Sequence, residues 1–270
     1  MAPRKSITIT FMENIINLQL PYILLALAMA VASGMLGSFA VMRKMALASD
    51  PISHIALPGL AIALLLGINP LVGAGAALLI GALVIWSLEK KTGISTDVMI
   101  GVVFSVSLAV GSLLTPDHEI IEALLGGYEN TTVTESLVGT TVAILIVFFL
   151  IKYKSKLTLN ILSPDLARTA GVNSNRLNLF FLVAFVATIL LGLRFMGVLL
   201  MGSLIIIPAA VGKNLAASLG SMIGISTVVS VVSVGAGLAV SGLFDFQPGP
   251  TIIVISAAIF ALSLLVKLPD

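Results

Sequence analysis

Residues 45–67 read MALASDPISHIALPGLAIALLLG. A bilayer crossing needs about 20 mostly apolar residues, and this stretch is long enough. It also carries a carboxylate at Asp50, an imidazole at His54 and two prolines, Pro51 and Pro58, which interrupt the helix and free backbone carbonyls that favour a cation. The rest of the chain is of one kind. Its 270 residues are 59% hydrophobic and only 10% charged, with a mean hydropathy of +1.18. Soluble domains carry about 45–50% apolar and about 25% charged residues, so a soluble globular protein and a disordered chain are both excluded. A lipid-facing open sheet cannot satisfy its backbone, and a barrel would alternate polar and apolar residues rather than run apolar. The fold class is therefore all-α: a polytopic transmembrane helical bundle.

Outward from 45–67, apolar segments fall at 17–40, 70–88, 98–114, 135–151, 177–193, 195–212, 215–243 and 250–267, giving about 8–9 spans. The 215–243 stretch is long enough to tilt or to break at Gly235 or Gly237. Linkers are short and marked by Gly and Pro: Gly67-Ile68-Asn69-Pro70, Thr115-Pro116-Asp117 and Gln247-Pro248-Gly249-Pro250. Residues 1–270 read as a single transmembrane domain. Glu13, Asn14 and Asn17 interrupt the first apolar run, which fits a cleavable signal peptide poorly.

Basic residues gather at Arg43/Lys44, Lys90/Lys91, Lys152 to Arg176, Lys213 and Lys267. With these spans all five places fall on one side, which the positive-inside rule makes cytoplasmic. Residues 92–151 hold no Lys or Arg but six acids, most of them on the predicted outer loop. Arg4, Lys5 and Arg194 depart from the pattern, and a snorkelling interface residue is the simplest reading of Arg194. The chain has no cysteine, hence no disulfide and no thiolate ligand. Val211-Gly212-Lys213-Asn214 lacks the leading glycine and the hydroxyl of a phosphate loop, so no ATP hydrolysis by that route is expected. No basic-aromatic surface for nucleic acid and no nucleophile set stand out, and no intrinsic cofactor is expected.

Asp50 and His54 are four apart and share one helical face. An ionised Asp at the middle of a span costs about 2.5–3.5 kcal/mol on insertion scales, so it faces the bundle interior or a water-filled cavity. Carboxylate oxygen with imidazole nitrogen suits Zn²⁺, Mn²⁺ or Fe²⁺. The other reading is an N-cap: Asp ahead of Pro at a helix start caps commonly, leaving His54 a core histidine. Asp117, His118 and Glu122 are candidates for an outer entry that gathers cations, against an ordinary solvated loop. Ser163-Pro164-Asp165-Leu166-Ala167-Arg168-Thr169-Ala170-Gly171 reads as a short capped helix stopped by glycine on the cytoplasmic side. It is either a plain connection or a rigid element offered to a motor subunit.

These residues resemble the membrane subunits of bacterial ABC importers for manganese, zinc or iron. Arg43 to Gly59 resembles that family's basic pair followed by Leu-Ala-Gly-Asp-x-x-Ser-His-x-x-Leu-Pro-Gly, with Ser49 in place of the usual Gly. Ala167-Arg168-Thr169-Ala170-Gly171, the run Gly197 to Ala210 and Pro248-Gly249-Pro250 are similar to three further motifs in the same order. The resemblance implies a fold similar to the vitamin B12 importer permease and a homodimer in a bacterial inner or plasma membrane. It also implies two ATP-binding subunits on the cytoplasmic face and an extracytoplasmic metal-binding protein. Asp50 and His54 would lie on the metal pathway, and a segment of about 157–176, with Ser163, Pro164, Asp165, Ala167, Arg168 and Gly171, would seat in the ATPase. The competing expectations are a permease for a chelate such as haem, cobalamin or siderophore iron, and a proton-coupled transporter.

Overall fold

The computed structural model describes residues 20–114, 132–196 and 198–266, and every element among them is helical. In chain order these are α1 (Leu20–Met42), a 3₁₀ turn (Ala46–Ala48), α2 (Ser49–His54), α3 (Ala56–Leu65), α4 (Pro70–Thr92), α5 (Thr96–Leu114), α6 (Val133–Leu162), α7 (Pro164–Thr169), α8 (Ser174–Met196), α9 (Val198–Leu215), α10 (Leu219–Phe244) and α11 (Pro248–Leu265). Seven of the helices are long and apolar enough to cross a membrane, and two shorter apolar stretches, Ser49–Leu65 and Met201–Leu215, complete the set.

Local chemistry sets the ends. Asn69 accepts a hydrogen bond from the Leu71 amide at 2.9 Å with Pro70 at the first helical position, so the predicted Gly-Ile-Asn-Pro linker starts α4. Thr132 with Glu135 and Ser218 with Ser221 form capping boxes that open α6 and α10. Glycines at positive φ, Gly67 at 65° and Gly93 at 69°, end α3 and α4, where a side chain would be strained. Lys44 takes the same left-handed conformation at φ 61°. There the Met45 amide bonds the Ala40 carbonyl at 2.9 Å and the Lys44 amide bonds Val41 at 3.1 Å, which closes α1.

Two expectations needed adjusting and a third is met. The 45–67 span is interrupted as its prolines imply: it is a 3₁₀ turn and two helices divided at Ile55. Pro58 has no N–H to give the His54 carbonyl and its ring crowds that oxygen, so α2 ends at His54, four residues before the proline. The helix expected over 135–151 runs on to Leu162. At 1.5 Å per residue α6 is about 45 Å long, against a hydrocarbon core of about 30 Å, so its last turns, with Lys152, Lys154 and Lys156, stand beyond the apolar slab. Residues 219–244 form one unbroken helix. Gly237 does not kink it but admits Ile252 of α11, whose Cα lies 2.9 Å from where a Cβ on Gly237 would sit.

α1 is the centre of the bundle, packed by α6, α9 and α10. With no hydrophobic drive between helices in lipid, close association needs small residues and interhelical hydrogen bonds. Both are present. Ser33 on α1 and Ser230 on α10 face each other at 3.4 Å. Gly59 of α3 and Gly73 of α4 press backbone to backbone, each placed where a Cβ would strike the other's carbonyl oxygen. The basic helix ends also converge: Arg43 bonds Asn178 at the start of α8, and Trp86 near the end of α4 donates to the Asn175 carbonyl at 3.0 Å.

Overpacking typically costs about 1–3 kcal/mol, so Gly59→Ala or Gly73→Ala should lower the melting temperature of the detergent-solubilised protein by several degrees. Gly101→Ala, where nothing lies within 4 Å of the added methyl, should leave it level or raise it.

Candidate metal pathway

The Pro58 break fixes where the two ionisable groups stand. α2 is six residues long, and Asp50 falls in its first turn and His54 at its last residue. The N-cap position is Ala48, which makes no side-chain cap bond, so Asp50 does not cap this helix. Its main-chain carbonyl instead accepts from the Ser53 hydroxyl at 2.6 Å. The Asp50 carboxylate is left to project, with 64% of its side chain exposed in the single chain, while His54 is 22% exposed.

Asp50 Oδ1 and His54 Nε2 are 4.0 Å apart. Zn–O and Zn–N bonds are about 2.0–2.2 Å, so a tetrahedral ion touching both would draw the two atoms to about 3.4 Å, a shift of roughly half an ångström for these side chains. Phe104 of α5 packs against the imidazole, ring centroids 5.6 Å apart and tilted by 54°. His54 Nδ1 is buried and has no hydrogen-bond partner among the described residues. Gly202 of α9 lies across from the pair: a Cβ there would be 3.8 Å from the Asp50 Cβ and 3.8 Å from the Ser49 hydroxyl. The absence of a side chain on α9 keeps open the space beside the carboxylate. Ser49 is fully buried with its hydroxyl unpaired among the described residues, a feature that its position beside Asp50 in the sequence did not announce.

No group of three or more His, Cys, Asp or Glu side chains gathers among the described residues. One chain therefore offers two side-chain ligands at this place, and further ligands must be water or come from outside the described chain. Asp117, His118 and Glu122 lie outside the described residues, as does the side chain of Arg194.

The segment around Ser163–Gly171 contains a single short helix, α7, hung between α6 and α8. Ser163 accepts from the Leu166 amide at 3.4 Å, Pro164 occupies the first position, and Gly171 at φ 75° turns the chain out. Ala167 is fully buried and seats the helix. Asp165, Leu166 and Arg168 are exposed on its outer side, and Asp165 pairs with Arg168 at 3.8 Å. Such an exposed pair contributes little to stability. The parts of the 157–176 segment on either side belong to the end of α6 and the start of α8.

The family model described as ABC 3 transport family matches residues 16–267. A high-affinity zinc uptake system membrane protein, ZnuB, from Haemophilus influenzae is 31% identical over 249 residues, covering 90% of this chain and 95% of the relative. A manganese transport system membrane protein, MntC, from Listeria innocua is 28% identical over 244 residues, covering 89% and 87%. Among solved structures, PsaBC from Streptococcus pneumoniae in complex with Fab superposes with a TM-score of 0.79 at 24% identity, covering 96% of this chain and 95% of that one. The described residues form an all-helical bundle with seven helices long and apolar enough to cross a membrane, and with the family match over residues 16–267 this places the chain as a multi-pass bacterial membrane protein that belongs to the ABC 3 transport family.

Proposed function

We propose that this chain is the permease subunit of an ATP-driven importer for a divalent transition-metal ion, Zn²⁺, Mn²⁺ or Fe²⁺. The observation that carries the reading is the Asp50–His54 pair. A carboxylate and an imidazole stand one helical turn apart, 4.0 Å from each other, on a helix broken inside an apolar bundle. The zinc and manganese transport named in the relatives agrees with that donor set. The whole chain acts as one membrane domain, and a second copy brings its own Asp50 and His54 to the same axis, so that four side chains surround the ion.

ATP is hydrolysed in a separate pair of subunits docked on α7, and an extracytoplasmic metal-binding protein delivers the ion to the outer mouth. ATP binding and hydrolysis move α7, and the bundle alternates between outward and inward access. An importer must hold its ion without trapping it. The Asp50 carboxylate of each chain is exposed to water, so the ligand set stays open to exchange, as a closed structural site does not. Selection among the three metals does not come from this donor pair, since carboxylate and imidazole accept all of them; geometry, metal supply and the delivering protein decide it.

Radiometal uptake in cells tests the reading. Asp50→Ala and His54→Ala should each lower accumulation at least tenfold, in line with the loss that removing metal-site partners causes, with unchanged protein in the membrane. Uptake that survives both substitutions would rule the pathway out. Uptake into liposomes that proceeds without ATP would point to proton coupling.

The space beside the carboxylate gives a second expectation. Gly202→Ala adds only an ordinary contact and should transport normally. Gly202→Leu reaches further toward Asp50 and should cut uptake by about the tenfold of the Asp50 variant while the protein still assembles, an overpacking effect at one site.

A further inference from the structure

Arg43 lies between the end of α1 and the 3₁₀ turn that leads into Asp50. Its Nη2 donates to Oδ1 of Asn178 at 3.0 Å, and the same oxygen accepts from Nδ2 of Asn160 at 3.0 Å. Asn160 sits in the last turn of α6 and Asn178 near the start of α8, the two helices between which α7 hangs. The guanidinium also lies over the ring of Phe181, 4.3 Å from its centroid, and that ring is fully buried. Burial pushes the Arg43 guanidinium down to about 10, opposed by the nearby Glu89 carboxylate, so it remains charged at neutral pH. The entry to the Asp50 segment is thus fastened to both supports of α7 through one amide oxygen.

The fastening is incomplete in a complementary way. The Nε of Arg43 and the Oδ1 of Asn160 are both buried and unpaired among the described residues, the first a donor and the second an acceptor. A partly satisfied buried network is the part of a packed interior that gains most by rearranging. The cluster thus holds one spare donor on Arg43 and one spare acceptor on Asn160, the two groups that a second arrangement would use. Next to it, Lys44 holds the left-handed conformation that closes α1, so the chain turns sharply toward the Asp50 segment directly after Arg43.

We propose that Arg43 is a positioning residue for transport, a joint that carries the movement of α7 to the Asp50–His54 segment by exchanging its hydrogen bonds between Asn178 and Asn160. The inference rests on the reading of α7 as the ATPase contact and of Asp50 and His54 as the metal pathway. Lysine cannot replace arginine here, because only the planar fork both donates to the amide and stacks on Phe181.

The test uses the whole transporter, this chain with its ATPase and metal-binding protein, in proteoliposomes, reading radioactive Zn²⁺ or Mn²⁺ uptake and ATP hydrolysis in the same sample. Arg43→Lys and Asn178→Leu should each lower the metal moved per ATP about tenfold while hydrolysis stays within about twofold, the size of a typical coupling between sites. Asn178→Asp, which keeps the double acceptor, should retain at least half of the wild-type ratio. Arg43→Lys moving as much metal per ATP as wild type overturns the joint, as does a parallel loss of hydrolysis and uptake in all three variants. If Asn178→Leu fails to assemble, Arg43→Lys against Asn178→Asp decides alone. Undiminished uptake by Asp50→Ala overturns the pathway reading instead, whatever the Arg43 variants do.

Discussion

A proline cannot give a hydrogen bond to the residue four positions before it, and in this chain that residue is His54. In water the freed carbonyl would be solvated at small cost. In an apolar bundle it must find another partner or face a wet cavity, so a break of this kind is tolerated only beside one. Pro58 therefore does more than shorten a helix. It ends α2 at the imidazole, directs α3 onto α4, and leaves Asp50 and His54 on a short helix whose orientation is set by its neighbours rather than by a long continuous axis. The positions of Phe104 and Gly202 matter because they flank that short helix.

The surrounding helices supply rigidity by contact at glycine rather than by large side chains. The Gly59–Gly73 approach ties α3 to α4, Gly37 admits the Ile205 carbonyl of α9 against α1, and Gly237 admits Ile252. In each case the backbone itself is the packing surface, which leaves little room for independent movement of the paired helices. The Ser33–Ser230 contact sits within another such approach, beside Gly34, where a Cβ would lie 2.8 Å from the Ser226 carbonyl oxygen. The Arg43–Asn178–Asn160 cluster instead joins the end of α1 to α6 and α8 through side-chain hydrogen bonds.

Much of this was legible in the residues. Apolar runs separated by Gly-Ile-Asn-Pro and Pro-Gly-Pro marked the order of the spans, because in a membrane length and apolarity alone define a crossing. The shared face of Asp50 and His54 followed from their spacing of four. The end of α6 did not follow: Lys152, Lys154 and Lys156 end the apolar run, yet lysine is a good helix former, and here the ammonium groups of Lys152 and Lys156 lie over Phe148 and Tyr153 within the same helix. That the prolines interrupt the 45–67 helix was legible, but the place of the break, at Ile55, was not, because a proline acts on a residue a full turn away. The N-cap alternative for Asp50 was settled by a hydrogen bond that is not made, which spacing cannot show. The Arg43 cluster was out of reach of any local reading, since Asn178 stands 135 residues from Arg43 and 18 from Asn160.

The length of α6 has a mechanical consequence. It runs unbroken from the capping box at Thr132 to the cap of α7 at Ser163, one stiff rod of about 45 Å. A rod of that length pivoting about its midpoint by roughly 5° carries each tip about 2 Å, in opposite directions. A push at the α7 end is therefore delivered to the Thr132 end without passing through any hinge, and the two ends move as one rigid body.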